Sequence, residues 1–342
     1  MTSIFVTGAS GFIAQHIIKL LVSKGYKVVG TVRSSSKGAD LVSNLGSNFT
    51  YEIVPDISSP NAFDEALKTH PEVTVVLHTA SPFFFDTTDP EKDLIIPAIR
   101  GTENIMNAIV EYAPQVTRMV VTLSDAAIYS LVDECNPELL FNEQSWNNIT
   151  YEEAVKDPVA AYYGAKLFAE KHVWKFLKEY PGNKLNFAVT SVNPVYVFGP
   201  QAFDLEVKPT LNTSNQVIKT LIELGPNDAF ELNMGGAVDV RDVALAHIAG
   251  FEREDTIGRR LFMTSGQFLS QMMLDIINEN IPSLQGKIPR GTPGSGPQDI
   301  RSLAKTDNSA TRNLLGWEFT PFKKTVIDTV NQILHVKPVP KI

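Results

Sequence analysis

The fold is decided by the stretch Ser3-Ile4-Phe5-Val6-Thr7-Gly8-Ala9-Ser10-Gly11-Phe12-Ile13-Ala14. An apolar run of strand length leads into a Gly-x-x-Gly-x-x-Ala turn, and a helical pattern follows. Gly8 permits the tight turn, Gly11 lets a pyrophosphate approach backbone N–H groups, and Ala14 permits close helix–strand packing, with the helix N-terminus facing the phosphates. A glycine-rich turn without a ligand is the alternative. The predicted dinucleotide contacts are Thr7, Gly8, Ser10, Gly11, Phe12 and Ile13.

Beyond this stretch, short apolar runs alternate with helical patterns as far as residue 192, which is typical of a parallel sheet covered by helices on both faces. Right-handed crossovers wind such a chain into a Rossmann-type, doubly wound α/β sheet. The predicted strands are 4–7, 27–32, 50–54, 74–78, 118–123 and 186–192. The predicted helices between them are 12–24, 37–46, 60–68, 91–112 and 158–180.

The pattern changes toward the C-terminus. Residues 193–200 contain two prolines and a glycine and predict a stiff loop, and residues 282–300 predict a long loop. The other predicted elements are helices 213–224, 270–280, 307–315 and 321–335, a helix capped by Asp239 that runs to about residue 253, and a strand at 260–263.

Composition and charge exclude several classes of protein. The 342 residues carry a formal net charge of −8, which does not attract phosphate backbones or anionic lipid, so we expect no nucleic acid and no membrane partner. No segment reaches about 18 uninterrupted apolar residues, the length that spans a bilayer. Cys135 is the only cysteine and the histidines are scattered, so we expect no metal. The start of the chain lacks the features of a signal peptide, and we expect a cytoplasmic protein.

The residues after the second predicted strand bear on the choice of cofactor. NAD-binding folds place a carboxylate there for the ribose hydroxyls, whereas this chain has Arg33, Ser34 and, further on, Lys37. Arg33 can stack on adenine and bond a ribose phosphate with support from the other two, which favours NADP over NAD. A solvated basic loop is the alternative.

Three further strand ends are expected to contribute to the cofactor site, because ligands bind at the carboxyl ends of parallel strands. We expect Asp56 and Ile57, after the third strand, to meet the adenine, with a loop cap as the alternative for Asp56. The residues that we expect to line the rest of the cofactor are Thr79, Ala80 and Ser81 after the fourth strand and Thr122 at the end of the fifth.

A second stretch, Tyr162-Tyr163-Gly164-Ala165-Lys166, supplies the predicted chemistry. It lies in a helix that we expect to begin at Asp157-Pro158, with Asp as N-cap, and to close at Pro181-Gly182. Residues four apart share a helix face, so Tyr162 and Lys166 lie side by side, where a fixed positive charge stabilises a phenolate. Such a tyrosine can act as general acid toward a carbonyl oxygen while a hydride reaches the carbon.

Ser124, at the end of the fifth strand, is the candidate partner of Tyr162. Its hydroxyl can donate to a substrate carbonyl and position it. Taken separately, a Tyr–Lys pair at this spacing or a serine at a strand end is more often part of a solvated helix face or a turn. Tyr163 points about 100° away from Tyr162 and is expected to pack. The chain has no Gly-x-Ser-x-Gly elbow, which argues against a Ser-His-Asp hydrolase.

With these residues together, the chain resembles the extended short-chain dehydrogenases/reductases. Within them it is similar to the yeast NADPH-dependent methylglyoxal (isovaleraldehyde) reductases, a carbonyl reductase group related to plant dihydroflavonol and cinnamoyl-CoA reductases. The resemblance implies reduction of methylglyoxal, isovaleraldehyde, diketones and bulky aryl ketones to chiral alcohols by a monomer or homodimer. It covers essentially the whole chain, and its further carriers are GFIAQHI at 11–17, VPDIS at 54–58, LHTASPF at 77–83, NPVYVFGPQ at 193–201 and DVRDVA at 239–244.

The resemblance also implies roles for individual residues, including binding of the nicotinamide ribose by Lys166. The implied residues are Ser124, Tyr162 and Lys166 for catalysis, Arg33 and Lys37 for the NADP phosphate, and Pro194 and Val195 for backbone contacts near the carboxamide. Tyr162 is expected, like Lys166, to contact the cofactor as well. We expect an NADP-binding Rossmann domain of residues 1–194 with 237–264, and a substrate-binding part of residues 195–236 with 265–342.

The substrate pocket of this family lies between the sheet edge and the smaller C-terminal part. Core packing is the alternative for each aromatic residue that we assign to it. The implied pocket residues are Phe83, Phe84, Phe85, Asp125, Ile128, Tyr129, Val195, Tyr196, Thr213, Gly235, Gly236 and Ala237.

Two departures from the family pattern concern this pocket. Relatives carry small or hydroxylic residues before the serine and often a tyrosine after it, where this chain has Leu123 and Asp125. Ala237 stands where relatives often have an aromatic or polar residue. A carboxylate that pointed toward the reacting carbonyl would oppose the negative charge that develops there. We expect these sites to alter substrate range and stereopreference without changing the hydride step, whether they arose naturally or by engineering.

Two other functions are compatible with parts of the pattern. A nucleotide-sugar epimerase or dehydratase shares Tyr-x-x-x-Lys but retains and regenerates its cofactor, normally NAD, which Arg33 disfavours. A non-catalytic NADPH-sensing protein on the same fold usually lacks the tyrosine or the lysine, whereas this chain has both Tyr162 and Lys166.

Overall fold

The structure, a computed structural model, describes residues 2–180 and 185–336. By its contacts the chain forms two compact units. The first comprises the residues up to Leu131, Asn142–Asn193 and Ala244–Phe262. The second comprises Val132–Phe141, Pro194–Val243 and the residues from Met263 onward. The division into NADP-binding and substrate-binding parts, with the boundaries given above, stays a prediction.

A seven-stranded sheet organises the first unit. The strands of the described residues are β1 (Ser3–Thr7), β2 (Lys27–Val32), β3 (Phe49–Ile53), β4 (Val73–His78), β5 (Arg118–Thr122), β6 (Leu140–Phe141), β7 (Ala188–Pro194), β8 (Tyr196–Phe198), β9 (Met234–Asp239), β10 (Arg260–Met263), β11 (Gly266–Leu269) and β12 (Lys305–Thr306). The order of the large sheet is β10-β7-β5-β4-β1-β2-β3. Strands β1 to β5 and β7 pair with their neighbours in parallel, and their order is that of a Rossmann sheet, so the predicted fold class is confirmed.

The helices follow the predicted pattern with local exceptions. The predicted helix 60–68 begins only at Asp64, because Asn61 adopts a left-handed φ of 61° that a helix does not accommodate. The predicted long loop 282–300 contains a short helix at its end. The helices are α1 (Phe12–Ser23), α2 (Ser35–Leu45), α3 (Asp64–Lys68), α4 (Ile96–Tyr112, after a π-helical turn at Glu91–Ile95), α5 (Leu131–Glu134), α6 (Tyr151–Ala154), α7 (Pro158–Glu179), α8 (Thr213–Glu223), α9 (Val240–Glu252), α10 (Ser270–Asn280), α11 (Gly296–Asp299), α12 (Ser309–Leu315) and α13 (Phe322–His335).

The stiff loop predicted at 193–200 is wrong, because most of these residues are in strands. Strand β7 runs to Pro194, and β8 joins a second sheet of order β11-β9-β8. Gly236 in β9 has no room for a side chain, since a Cβ there would lie 2.5 Å from Val195. The prediction missed β9 because glycines weaken a strand pattern. The capping role predicted for Asp239 is confirmed, since its Oδ1 accepts the backbone N–H of Arg241 at 2.8 Å.

Two hydrophobic cores fix these elements. In the first unit, Val76 and Val121 of the sheet, Met106 of α4 and Ala165 of α7 belong to one buried cluster. In the second, a separate cluster joins the small sheet to α8, α10 and α13. No helix in the described part of the chain combines the length and apolarity needed to cross a membrane.

Candidate active site

Helix α7 presents Tyr162 and Lys166, and its start is fixed as predicted. The Asp157 side chain accepts two backbone hydrogen bonds of 2.9 Å from the first turn, where a proline also lies. Aspartate at this position satisfies N–H groups that have no partner within a helix. The helix ends at Glu179, and the predicted closing pair Pro181-Gly182 lies outside the described residues.

Lys166 is buried beside Tyr162. The residue is 8% exposed, and its Nζ lies 5.9 Å from the centre of the Tyr162 ring. Burial lowers the pKa of Lys166 to about 8. Burial and, in smaller measure, the charge of Lys166 lower the pKa of His78 to about 3, so this histidine is neutral near pH 7. Below its pKa of about 8, the Lys166 ammonium group supplies a positive charge that stabilises the phenolate formed when Tyr162 gives up its proton.

Ser124 lies next to Tyr162, as the sequence predicts. It is separated from the end of β5 only by Leu123, and it is 3% exposed. Its Oγ lies 3.1 Å from the phenol oxygen of Tyr162. The backbone N–H of Ala126 donates a 3.2 Å hydrogen bond to the same Oγ. The serine, tyrosine and lysine thus gather at the carboxyl edge of the large sheet, where ligands bind in this fold.

Asp125 directs its carboxyl group toward these residues. Its Oδ1 accepts the hydroxyl hydrogen of Ser124 at 2.7 Å, and its Oδ2 accepts that of Tyr129 at 2.7 Å. Burial raises the pKa of Asp125, and the lowering effect of these hydrogen bonds does not cancel that of burial. In this geometry the hydrogen that Ser124 would offer to a substrate carbonyl is donated to Asp125.

A buried ion pair that the sequence analysis missed lies one helical turn beyond Lys166. Glu170 has no exposed surface, and Arg260 Nε donates to its Oε1 at 2.7 Å. Asn193 Nδ2 donates to Glu170 Oε2 at 2.8 Å and to the backbone carbonyl of Ser124 at 3.1 Å. The spacing of Lys166 and Glu170 was a usable signal, because residues four apart share a helix face.

Arg260 and Asn147 connect the turn that follows Ser124 to the segment 143–147, and Arg260 donates to the Ala127 carbonyl of that turn at 3.4 Å. Arg260 donates two further hydrogen bonds, of 2.8 and 2.6 Å, to backbone carbonyls in the segment 143–145. Asn147 Nδ2 donates to two carbonyls within 126–129, at 2.8 and 3.1 Å. Backbone and side-chain groups from three parts of the chain therefore fix the direction in which the turn points.

The glycine turn has the backbone geometry that a dinucleotide fingerprint requires. Gly8 adopts a φ of 69°, and a Cβ there would lie 3.0 Å from the Ala80 Cα, so conformation and close approach both demand glycine. Gly11 is the N-cap of α1 and offers no side-chain oxygen, which leaves first-turn N–H groups for a phosphate. Gln15, which was not predicted, donates from Nε2 to the Ser10 carbonyl at 3.0 Å and supports the turn.

The other predicted contacts lie at the neighbouring strand ends. Thr7 Oγ1 lies 2.9 Å from His78 Nδ1 and accepts hydrogen bonds from the backbone N–H groups of Thr79 and Ala80, each at 3.1 Å. These bonds join the ends of β1 and β4. Contact with a cofactor stays a prediction for the residues placed here, which are Thr7, Thr79, Ala80, Ser81 and Thr122, with Phe12 and Ile13 in the first turn of α1.

Arg33 and Lys37 are exposed beyond the end of β2, as contact with a ribose phosphate requires. Residues 33–38 contain no carboxylate, so this end of the site fits a phosphorylated ribose. The Asp56 carboxylate makes the hydrogen bonds of a loop cap, since it accepts from Ser58 and Ser59 at 2.7 to 2.8 Å, and contact of Asp56 and Ile57 with the adenine stays a prediction. The side-chain bond from Ser58 is the main cause that lowers the pKa of Asp56. Ile57 packs against α4.

In the first unit, the predicted pocket residues fall into two groups. Phe83 and Phe85 are 46% and 40% exposed, and their ring centres lie 5.1 and 5.9 Å from that of Tyr162 in edge-on contacts. Phe84 between them is also exposed. Ile128 is fully buried. Tyr129 is nearly fully buried and its hydroxyl donates to Asp125, which favours the packing alternative for this aromatic residue.

In the second unit, the predicted pocket residues lie on the small sheet and at the start of α8. Tyr196 is exposed, whereas Val195 and Ala237 are buried and Pro194 ends β7. Thr213 borders a cavity of about 290 Å³. The predicted glycines 235 and 236 both lie in β9.

Comparisons with known proteins agree with this architecture. The family described as the NAD dependent epimerase/dehydratase family matches residues 4–259. The chain belongs to this family. Two full-length relatives within it are fungal proteins: the NADPH-dependent methylglyoxal reductase of Saccharomyces cerevisiae is 48% identical over 336 residues, and the putative NADPH-dependent methylglyoxal reductase of Candida albicans is 48% identical over 339 residues, each match covering 97% of this chain and 98% of the relative.

Solved structures of the family include the crystal structure of yeast methylglyoxal/isovaleraldehyde reductase complexed with NADPH. It matches this chain with a TM-score of 0.94 and 47% identity, over 97% of this chain and 98% of that one. The resemblance inferred from the sequence is therefore confirmed. A phosphorylated dinucleotide fits the features of this chain that would hold it, which are the glycine turn, the exposed Arg33 and the buried Lys166.

Replacing Glu170 by Gln should destabilise the protein by about 3 kcal/mol or more, because the Arg260 charge then stays buried without its counter-charge. The matched control is Glu179→Gln on the same helix, where the pair with Lys175 spans 3.8 Å and both side chains are more than half exposed. The control should change stability by less than about 0.5 kcal/mol. Urea unfolding of the two variants beside the wild type gives the comparison, and equal losses would contradict the importance assigned to the buried pair.

Proposed function

We propose that this chain is an NADPH-dependent reductase that converts aldehydes and ketones to alcohols. One observation carries the proposal: the buried Lys166 ammonium, the Tyr162 phenol and the Ser124 hydroxyl gather in the unit that also holds the glycine turn. They do so in a chain that is 48% identical, over nearly its whole length, to a yeast enzyme named as an NADPH-dependent methylglyoxal reductase.

Each residue has a defined role in this proposal. NADPH supplies the hydride when it is bound. Tyr162 gives its proton to the carbonyl oxygen, Lys166 stabilises the resulting phenolate and binds the nicotinamide ribose, and Ser124 holds the carbonyl in place. Arg33 and Lys37 hold the ribose phosphate at the other end of the site, where a guanidinium suits a phosphate group.

The substrate range that we propose follows from the surface beside Tyr162. Phe83 and Phe85 expose aromatic rings next to the phenol, with the exposed Phe84 between them in the chain, and such a surface suits the alkyl or aryl group of a carbonyl compound. Methylglyoxal, isovaleraldehyde, diketones and bulky aryl ketones are the proposed substrates, with chiral alcohols as products. The cytoplasmic location and the monomer or homodimer expected above stay predictions.

The reductase is better supported than the two alternatives. A non-catalytic NADPH sensor needs no general acid, whereas this chain keeps the Tyr162 phenol 3.1 Å from Ser124 Oγ and beside the buried Lys166. An epimerase or dehydratase must hold and regenerate its cofactor. The relatives described above carry names of NADPH-dependent reductases, and the exposed Arg33 and Lys37 fit the same cofactor.

Replacing Arg33 by Ala should lower kcat/KM for NADPH by about ten- to hundredfold, the size expected for loss of charge-assisted hydrogen bonds, while kcat/KM for NADH changes little. The control is Arg100→Ala, which removes another exposed arginine, on α4. Initial rates at saturating methylglyoxal with each cofactor measure the effect. A parallel loss with both cofactors would show that Arg33 does not read the phosphate.

Replacing Tyr162 by Phe should reduce turnover by at least about 100-fold, because the general acid is lost. Binding of NADPH, followed by fluorescence titration, should change little. Tyr163→Phe is the matched control, since it also removes a phenol hydroxyl, but from the neighbouring residue on a different face of α7. Near-wild-type turnover in Tyr162→Phe would refute the proposed proton transfer.

A further inference from the structure

The hydrogen bonds around Ser124 leave it no hydrogen for a substrate when Asp125 is charged. A serine hydroxyl has one hydrogen and two lone pairs. The Ala126 N–H occupies one lone pair at 3.2 Å, the hydrogen goes to Asp125 Oδ1 at 2.7 Å, and the other lone pair faces the Tyr162 phenol at 3.1 Å. Ser124 then accepts the phenol hydrogen, so neither hydroxyl offers a hydrogen to a carbonyl oxygen.

A proton on Asp125 reverses this arrangement. A neutral carboxylic acid has an O–H donor, which can donate to Ser124 Oγ across the same 2.7 Å. The Asp125 O–H then occupies the Ser124 lone pair that accepted the phenol hydrogen when Asp125 was charged. The hydrogens of Ser124 and Tyr162 both become available to a carbonyl oxygen, while the Tyr129 hydroxyl continues to donate to Asp125 Oδ2 at 2.7 Å.

We propose that Asp125 is a positioning residue: its neutral form directs the hydrogens of Ser124 and Tyr162 toward the substrate, and its charged form holds them in a closed chain of hydrogen bonds. The inference rests on the proposed reductase function. The proton on Asp125 is taken from solvent and stays there during the reaction. Tyr162 still delivers the proton that the product gains, and solvent replaces it afterwards.

The surroundings of Asp125 allow both forms. Burial raises its pKa above that of an ordinary aspartate, while the hydrogen bonds from the two neighbouring hydroxyls lower it in smaller measure. The raised pKa brings the change of form toward the pH range in which an enzyme of this kind works. The turn itself and α7, which packs against it, bring these titratable or charged groups to the site: Tyr129, Tyr162, Lys166, Glu170 and, paired with Glu170, Arg260.

The test compares the pH profiles of kcat/KM for wild type and Asp125→Asn, with methylglyoxal and saturating NADPH, between about pH 5 and about pH 9. The carboxamide donates to Ser124 and accepts from Tyr129 at every pH, so it imitates the neutral acid. Wild-type kcat/KM should fall about tenfold per pH unit above the pKa of Asp125, and this limb should be absent from Asp125→Asn. Wild type and Asp125→Asn should both show the loss of kcat/KM that accompanies deprotonation of Lys166, because burial lowers the pKa of this lysine to about 8. Superimposable profiles would overturn the inference.

Tyr129→Phe provides a second, independent variant. It removes a hydrogen bond that lowers the pKa of Asp125, so the falling limb should move to higher pH, and an unmoved limb would overturn the inference. The infrared carbonyl band of a neutral carboxylic acid follows the same proton without turnover. A band that is missing from Asp125→Asn and disappears with rising pH in the wild type supports the inference. Absence of that band overturns it, whereas absence of turnover with any carbonyl compound overturns the reductase function instead.

Discussion

The buried ion pair between Glu170 and Arg260 is the interaction on which the geometry of the site depends. It joins α7, which carries Tyr162 and Lys166, to β10 and, through Asn193, to the backbone of Ser124. Two charges removed from water are costly unless each finds several hydrogen-bond partners, and this pair has them. Because these bonds form only when the segments take one arrangement, the pair fixes the distance between serine and tyrosine.

The same buried environment acts in opposite directions on two titratable groups. Burial lowers the pKa of Lys166 and raises the pKa of Asp125, because it disfavours the charged form of each side chain. The lysine must be charged to stabilise a phenolate, whereas the proposed role of Asp125 needs the neutral acid. A site of this kind works below the pKa of both groups, and mutations that admit water would weaken both effects.

The parts of the fold that were predictable are those whose signal is local. The strands β1, β2, β4, β5 and β10 each contain a short run of apolar residues, and the glycine turn and the Asp157 cap act over a few residues. The small sheet was missed because β9 contains two glycines and β8 follows a proline, so packing against distant residues decides their conformation.

The candidate site shows the same limit. Ser124, Tyr162 and Lys166 could be found from motif and spacing, and the structure brings them together. The partnership of Glu170 with Arg260 could not, because the two residues are 90 positions apart in the chain and only the folded sheet makes them neighbours. The direction of the Asp125 carboxyl group likewise depends on the Tyr129 hydroxyl, whose position the sequence does not specify.

Transfer of deuterium from the cofactor to the product tests whether this chain is an NADPH-dependent carbonyl reductase. The wild-type protein would be given NADPH that carries deuterium in both C4 positions of its nicotinamide, with methylglyoxal or an aryl ketone, and the product examined by mass spectrometry. We expect an alcohol with one deuterium on the carbinol carbon for each NADPH oxidised, because the hydride passes directly to the carbonyl carbon. An altered substrate without net oxidation of NADPH, or an alcohol without deuterium, would contradict it.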